Sequence, residues 1–449
     1  MVFGTMILGS NPSAPANKML KKLKNIVTKI DIFLYRKFGS EKKLYFLENF
    51  KEAKLIFSYI NYKEEESRIK FVGGCVRKAL LGEYIDDIDL ATSFEPIDIK
   101  KKLSDKNIKI IDTGISHGTI TAILNKKKFE ITTLREDAIT DGRHADVEFT
   151  SNWKKDSSRR DFTINAIYSD INGNVFDPQN GEEDLKNGIV KFIGDPAQRI
   201  QEDYLRILRY FRFFIQYSKQ EHENKIINLI KTNINGLNKI ANERIFEELK
   251  KIFKLKNIDN LLTDEETKKI FFHIFPQIKY YNRLKKLKNL SEKIKNKIDE
   301  ILILALLIID KTDNHQYFCH KYKTSNKIKN RFLNIANNFN EIENIDIFNK
   351  KIIKKYLYYS NKEFTEDLLL FAYFINDKAK ILDLEEAFHY LIKCEKPKFP
   401  ITGKILEKEG YESGKVLGEK LKKLENIWIS NNFHLDDVEI NKFLKKWII

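Results

Sequence analysis

The chain has 449 residues, 42% apolar and 12% aromatic, enough for a sizeable core and several modules, which excludes a disordered chain. A net charge of +16 points to a polyanionic partner or an anionic surface, with a general lysine bias accounting for part of it. Three unpatterned cysteines, Cys75, Cys319 and Cys394, exclude a disulfide scaffold and fit a reducing compartment, here the cytoplasm.

The first eighteen residues are rich in Gly, Pro, Ser and Ala and lack the pattern of a signal peptide. All three methionines lie by position 19, which points to translation starting at Met19. Residues 20–62 carry helical apolar spacing at Ile26, Ile30, Phe33 and Leu34. The stretch from Phe71 to Thr92, FVGGCVRKALLGEYIDDIDLAT, then reads as a strand end, a Gly73-Gly74 turn, a short helix and a second strand. On that second strand Asp87 and Asp89 share a face, about 7 Å apart, with Ile88 and Leu90 turned to a core. Two adjacent acids repel unless a cation lies between them, and magnesium is the usual one. The two glycines let the backbone approach something bulky and anionic, and Arg77 stands ready to close over a phosphate.

This stretch resembles the signature of the class II nucleotidyltransferases, the family of tRNA CCA-adding enzymes and bacterial poly(A) polymerases: G-G-x-V-R-D, a leucine-rich turn, then D-x-D-x-A-T. The resemblance implies that Asp87 and Asp89 hold Mg²⁺ and that Gly73, Gly74 and Arg77 cradle a nucleoside triphosphate. One position departs, because Lys78 stands where the family has an acid. An acid there would orient Arg77, so Lys78→Asp is expected to keep or raise turnover.

A short helix near Asp98–Leu103 and a strand at Ile108–Ile111 follow. A hairpin comes next, with strands at Thr119–Leu124 and Phe129–Leu134 about a turn at Asn125–Lys127. Alternation puts Glu130 on the less buried face, and the family string F-E-I-T-T-L-R implies a supporting catalytic carboxylate. Residues 135–157 lack periodicity and read as a long loop containing Asp141-Gly142. They resemble the flexible loop of enzymes able to add the terminal adenosine, with Arg135, Asp141, Gly142 and Arg143 as its marked residues. The string R-R-D-F-T-I-N-A is a further family motif. It implies that Arg160 contacts the nucleotide phosphates and that Asp161 and Asn165 shape the sugar pocket. A final strand at Ile189–Ile193 closes the head.

From Asp195-Pro196, a good N-cap followed by proline at the first helical position, the chain reads as helical to its end. Asp203, Arg206, Arg209 and Arg212 fall at three-residue steps beside an apolar stripe of Leu205, Leu208 and Phe211. A charged row is ordinarily a solvated face, but this one resembles the family's nucleotide-recognition element, E-D-x-x-R. The Asn242–Phe253 stretch matches another neck motif, with a structural role. The longest apolar run, Ile301–Ile309, is too short to span a membrane and suits a buried helix. His315, Cys319 and His320 lack a second pair of ligands nearby and read as ordinary helix residues. KPKFP at Lys396–Pro400 reads as a hinge, and the glycine-spaced segment with Trp428 resembles a tail that grips the tRNA elbow.

The expected fold is α+β. A nucleotidyltransferase head with a mixed sheet (61–195) follows an N-terminal extension and leading helix (1–60). Beyond it lie a helical neck (196–275), body (276–395) and tail (396–449). The implied activity is Mg²⁺-dependent addition or repair of the tRNA 3′-CCA from CTP and ATP, with the helical part holding the acceptor stem. An A-adding enzyme, a poly(A) polymerase and a catalytically silent RNA-binding protein are the alternatives. No membrane partner is expected, and oligomeric state is not legible.

Overall fold

The computed structural model describes residues 51–435, apart from 105, 138–146, 259, 260, 262, 345, 409 and 411. Most of the expected leading helix, the Met19 start and the loop residues Asp141, Gly142 and Arg143 therefore lie outside the described residues. The chain divides into two compact units, Met1–Leu237 and Asn238–Ile449.

The first unit is built on a seven-stranded mixed sheet of order β3-β4-β5-β2-β1-β8-β9. Helix α1 (Lys51–Ile60) buries Ala53, Ile56, Phe57 and Ile60, a helical spacing that makes one continuous apolar face. Strand β1 (Ile69–Val72) leads through the glycine turn into α2 (Gly74–Leu81), and β2 (Ile88–Thr92) returns antiparallel to β1. After α3 (Pro96–Ser104) come β3 (Lys109–Gly114), β4 (Thr119–Leu124) and β5 (Lys127–Thr133). The β4–β5 turn is tighter than expected: Asn125 and Lys126 alone close it, both with left-handed backbone (φ 50° and 67°), the twist that two-residue hairpins require. Strand β5 then pairs with β2 in parallel. A parallel pair needs a crossover, and the α3–β3–β4 segment supplies it.

The stretch expected to be a loop carries more structure than its pattern suggested. A two-stranded ribbon, β6 (Arg135–Asp137) with β7 (Val147–Phe149), is followed by α4 (Trp153–Ser158), capped by the Asn152 side chain. Short strands β8 (Tyr168–Ser169) and β9 (Val175–Phe176) extend the sheet. The expected strand at Ile189–Ile193 does not form. Its one sheet-like link among the described residues is an isolated bridge between Phe192 and Phe162, where Thr163 N–H donates to Lys191 O at 3.0 Å and Ile193 N–H to Asp161 O at 3.1 Å, with the two rings 4.6 Å apart.

Helix α5 (Gly181–Asn187) packs against a 3₁₀ turn at Thr163–Asn165, where Thr163 Oγ1 donates to Asp184 Oδ2 at 2.6 Å. The expected row at 203–212 does not lie on one helix. Helix α6 (Pro196–Glu202) ends before Asp203, whose backbone is extended (φ −151°, ψ 102°), and α7 (Arg206–Tyr217) starts afresh. Asp203 Oδ1 accepts from Leu205 N–H at 3.1 Å. This local turn, typical of aspartate, competes with helix and breaks it. Helix α7 buries Ile207, Leu208, Tyr210, Phe211 and Phe213 and is followed by α8 (Asn224–Asn233).

The regular elements of the second unit, among its described residues, are all helices. The run read as a buried helix, Ile301–Ile309, is buried throughout, on the helix Glu300–Ile308 and its C-cap residue Ile309. Arg331 binds it to two other helices, donating to Asp367 Oδ1 and Oδ2 at 2.7 Å each and to Asp299 Oδ2 at 2.5 Å. The segment read as a hinge, Lys396–Pro400, has no regular structure. The tail folds as helices Gly403–Lys408 and Lys415–Ser430, with Trp428 buried among Tyr358, Phe399 and Phe433.

A Cβ placed on Gly181 would lie 2.1 Å from the Thr163 carbonyl oxygen, a backbone atom that cannot step aside. Gly181→Ala should therefore lower stability by about 1–3 kcal/mol, read as a lower melting temperature, and nucleotide affinity should fall with it because the displaced turn carries Asn165.

Candidate active site

The glycine turn between β1 and α2 is where the site begins. Gly73 adopts φ 68° and ψ −118°, a conformation closed to side-chain-bearing residues at low cost. Its N–H donates to Ile167 O at 3.2 Å. A Cβ at Gly73 would stand 3.8 Å from Arg160 Nη1, and one at Gly74 would stand 4.0 Å from both Arg77 Nη2 and Asp89 Oδ2. The turn, two arginines and one of the expected metal-binding acids thus meet around bare backbone.

Parallel pairing sets Asp89 on β2 directly beside Glu130 on β5, so the two carboxylates share a face. Phe129 and Ile131 on either side of Glu130 are fully buried while Glu130 is exposed. Asp87 lies one residue before β2 and is exposed. Burial, followed by the charges of Glu130 and Asp87, pushes the Asp89 carboxyl up to about 6; Arg160 and Arg77 offset only part of this. An anion made uncomfortable by like charges is the electrostatic mark of a cation site. Among the described residues no three or more His, Cys, Asp or Glu side chains form a ready-made cage. The exposed Asp87 and Glu130 carboxylates beside half-buried Asp89 nevertheless fit Mg²⁺, a hard cation that keeps waters and takes its remaining ligands from substrate phosphates. Behind the turn, burial raises the Cys75 thiol to about 11. It stays protonated, lying 3.3 Å from Val72 O and 3.5 Å from Asp89 O.

Arg77 is not an open phosphate clamp. It is 6% exposed, donates to Asn165 Oδ1, and lies over the rings of Phe213 (4.9 Å) and Tyr217 (5.0 Å). Asparagine and aromatic rings, rather than an acid at position 78, orient it. Lys78 pairs instead with Asp86. Asn165 Nδ2 in turn donates to Asp161 Oδ1 at 2.9 Å, and Arg209 Nε donates to Asp161 Oδ2 at 2.6 Å. Burial alone would raise the Asp161 carboxyl, but Arg209 and Asn165 bring it down to about 2. Asp161 and Asn165 are thus internal braces that link α7 to the glycine turn. Arg206 N–H donates to Asp203 O at 2.9 Å, while the Arg206 guanidinium is turned to α6. Arg206 Nη1 donates to Glu202 Oε2 at 2.6 Å and to Arg199 O at 2.7 Å. The Arg212 guanidinium lies 4.1 Å from the Phe213 ring centroid. Arg135 Nη1, on β6, donates to His117 O at 2.7 Å.

Sequence reasoning missed Asp156. Its carboxylate is 1% exposed and accepts from Arg159 Nη2 (2.6 Å), Arg160 Nη2 (3.1 Å) and Tyr168 Oη (2.7 Å). Arg160 Nε also donates to Tyr168 Oη at 3.1 Å. Burial opposes ionisation of Asp156, yet the charges of Arg160 and Arg159 hold it below the usual carboxylate range. The signal available in the sequence was spacing: an acid four residues before Arg160 on a short helix faces it. Arg199, also missed, is buried and donates to Arg160 O at 2.7 Å.

Comparison with known proteins gives this arrangement its family. The model of the poly A polymerase head domain matches residues 69–191, and that of tRNA nucleotidyltransferase domain 2 matches residues 292–444. The mouse (Mus musculus) protein named CCA tRNA nucleotidyltransferase 1, mitochondrial, is 34% identical over 400 residues, covering 86% of this chain and 88% of that one. The chain belongs to the CCA-adding tRNA nucleotidyltransferase family. The CCA-adding enzyme of Lactobacillus helveticus is 31% identical, covering 84% of this chain and 92% of its own. A crystal structure of the Bacillus stearothermophilus CCA-adding enzyme in complex with CTP shares the fold, with a TM-score of 0.67 at 22% identity over 88% of this chain and 97% of that one. The α+β architecture expected from the sequence, a mixed-sheet head followed by helices, is the family's own, and so is divalent-metal dependence.

Two outcomes are expected at this site. Without divalent cations, Asp89→Asn should melt several degrees above the parent protein at pH values above about 6. The parent's crowded carboxylate is charged there, which weakens the folded state. The gain should shrink as pH falls from 6 toward the unfolded value near 4, and Mg²⁺ should raise the parent's melting temperature but not the variant's. Asp156→Asn, in turn, should raise the KM for CTP and for ATP by about tenfold each, because one lost charge loosens Arg160, corresponding to ~1.4 kcal/mol. Steady-state kinetics on the purified variant checks this.

Proposed function

We propose that this member of the family adds or repairs the 3′-terminal CCA of tRNA, joining CMP and AMP units from CTP and ATP to the RNA 3′-hydroxyl with release of pyrophosphate. The observation that carries the reading is the convergence of Asp89, its neighbour Glu130 and Arg160 on the Gly73-Gly74 backbone, in a chain aligned over most of its length with CCA-adding enzymes.

Asp87 and Asp89 would hold Mg²⁺, with Glu130 in support. When bound, the ion eases deprotonation of the 3′-hydroxyl and balances the charge of the departing pyrophosphate. The chain's own part is positioning. The Gly73-Gly74 backbone leaves room for the triphosphate, and Arg160, held by Asp156 and Tyr168, offers it a charged donor. Arg77 steadies the turn from within. The basic helical residues beyond position 195 would hold the acceptor stem and elbow through phosphate charge and A-form shape.

Choice of base follows from the pairing edges. Cytosine and adenine each present an exocyclic amine beside an unprotonated ring nitrogen, and uracil and guanine present the opposite pattern. In this proposal Asp203 accepts from the amine and Arg206 donates to the ring nitrogen after leaving Glu202. The extended backbone at Asp203 sets it off the end of α6, and its carboxylate would exchange the Leu205 N–H for the base amine. A wrong base strands a donor and an acceptor, at about 1–3 kcal/mol each, and the site rejects it. Arg209 and Arg212 back this face of α7.

Three RNAs test the reading: tRNA lacking CCA, tRNA ending in CC, and an unrelated RNA, each supplied with Mg²⁺ and single nucleoside triphosphates. Extension of the first by CCA and of the second by A alone is expected. Growth of long A tails on the unrelated RNA would favour the poly(A) reading, and extension of the CC-ended tRNA only would favour an A-adding enzyme. Asp203→Ala should retain transfer but incorporate UTP or GTP measurably; unchanged selectivity would move base recognition elsewhere.

A further inference from the structure

Lys78 departs from the family's sequence pattern, and nothing in the site described so far uses it. It lies in the last turn of α2, at the start of the connection that delivers the acidic strand. Gly82 ends the helix in left-handed backbone (φ 68°), its N–H bonded to Ala79 O at 3.1 Å, and Glu83 N–H reaches Lys78 O at 2.8 Å. The connection then runs through exposed Tyr84 to buried Ile85, and β2 opens at buried Ile88. Between those two apolar anchors stand Asp86 and Asp87, both exposed. The Lys78 ammonium closes this connection by pairing with Asp86 Oδ1, the same oxygen that accepts from Asp87 N–H at 3.2 Å.

We propose that Lys78 and Asp86 form a positioning pair that fixes the backbone of Asp87, and through it the spacing of the Asp87 and Asp89 carboxylates. An ion pair this exposed adds little to global stability, so its effect falls on local geometry. Two residues of strand entry otherwise hang between Ile85 and Ile88, and carboxylates that share a cation tolerate little misplacement. The pairing also changes what the family residue would do at this position. An aspartate introduced at 78 alone would face Asp86 and repel it, so Lys78→Asp should impair the enzyme rather than spare it.

The proposal rests on the metal-binding reading of Asp87 and Asp89, and charge gives it a distinguishing sign. Lys78→Ala deletes a positive charge near those carboxylates. Acting through the field alone, the change would tighten divalent-cation binding; acting through lost positioning, it weakens binding. Mn²⁺ titrated by electron paramagnetic resonance into protein saturated with CTP, without RNA, reads the difference without turnover. The expected result is about tenfold weaker Mn²⁺ binding in Lys78→Ala. The turnover number on tRNA ending in C should fall similarly, while the KM for CTP and the melting temperature stay near those of the parent. Lys78→Arg and the exchanged pair Lys78→Asp with Asp86→Lys should both bind Mn²⁺ within about twofold of the parent, while Lys78→Asp alone should not. Unchanged or tighter Mn²⁺ binding in Lys78→Ala overturns the proposal, as does full activity of Lys78→Asp alone. A parent protein that binds Mn²⁺ but extends no tRNA would instead refute the functional reading and leave the metal arm to judge the pair.

Discussion

The carboxylate of Asp156 carries the arrangement on which the catalytic face depends. A buried acid is costly unless it is paired and hydrogen-bonded, and this one is satisfied by Arg159, Arg160 and Tyr168 together. The arrangement works in both directions. The arginines keep the acid ionised, and the acid fixes the Arg160 guanidinium beside Gly73, where a substrate phosphate can meet it. Remove the acid and two guanidiniums become uncompensated next to a tyrosine hydroxyl. Breaking one side of a buried pair is what costs most in such networks.

A second chain of contacts, Arg209–Asp161–Asn165–Arg77, runs from α7 to the helix that follows the glycine turn. Every member is largely committed to protein partners, so its contribution is stiffness rather than direct contact with substrate. Its closing link is aromatic. Arg77 lies against Phe213 and Tyr217, so the residues that make α7 apolar on one side also hold an arginine from the head. Hydrogen bonds and ring contacts together thus tie α7 to the glycine turn.

Where a period was strong and local, the sequence was readable. Glu130 between Phe129 and Ile131 alternates as a strand must, and it stands exposed between two buried neighbours. The run at 301–308 is uniformly apolar and uniformly buried. Two kinds of feature were hidden. Asp203 fits a helical charge row by spacing, but an aspartate can bond its own backbone two residues on, and that local competition ended α6. Ile189–Ile193 has strand composition, yet Phe192 is claimed by Phe162 and Tyr210, and no strand lies alongside to complete a ladder. Asp156 was hidden differently. With Lys154 and Lys155 before it and two serines after it, it looks solvated, and only folding shows that Tyr168 and two arginines enclose it.

The electrostatics of the head run against those of the chain as a whole. A protein of net charge +16 attracts RNA and triphosphate over long range, yet beside the glycine turn it gathers Asp87, Asp89 and Glu130, whose charges oppose both. Arg160 and Arg77 offset part of that repulsion, while burial first, and then Glu130 and Asp87, hold the Asp89 carboxyl up at about 6. The remaining imbalance suits a divalent cation that arrives together with a triphosphate. A fully neutralised site would bind nucleotide alone and leave the metal little to gain; a site left short of positive charge binds the metal–nucleotide pair better than either part.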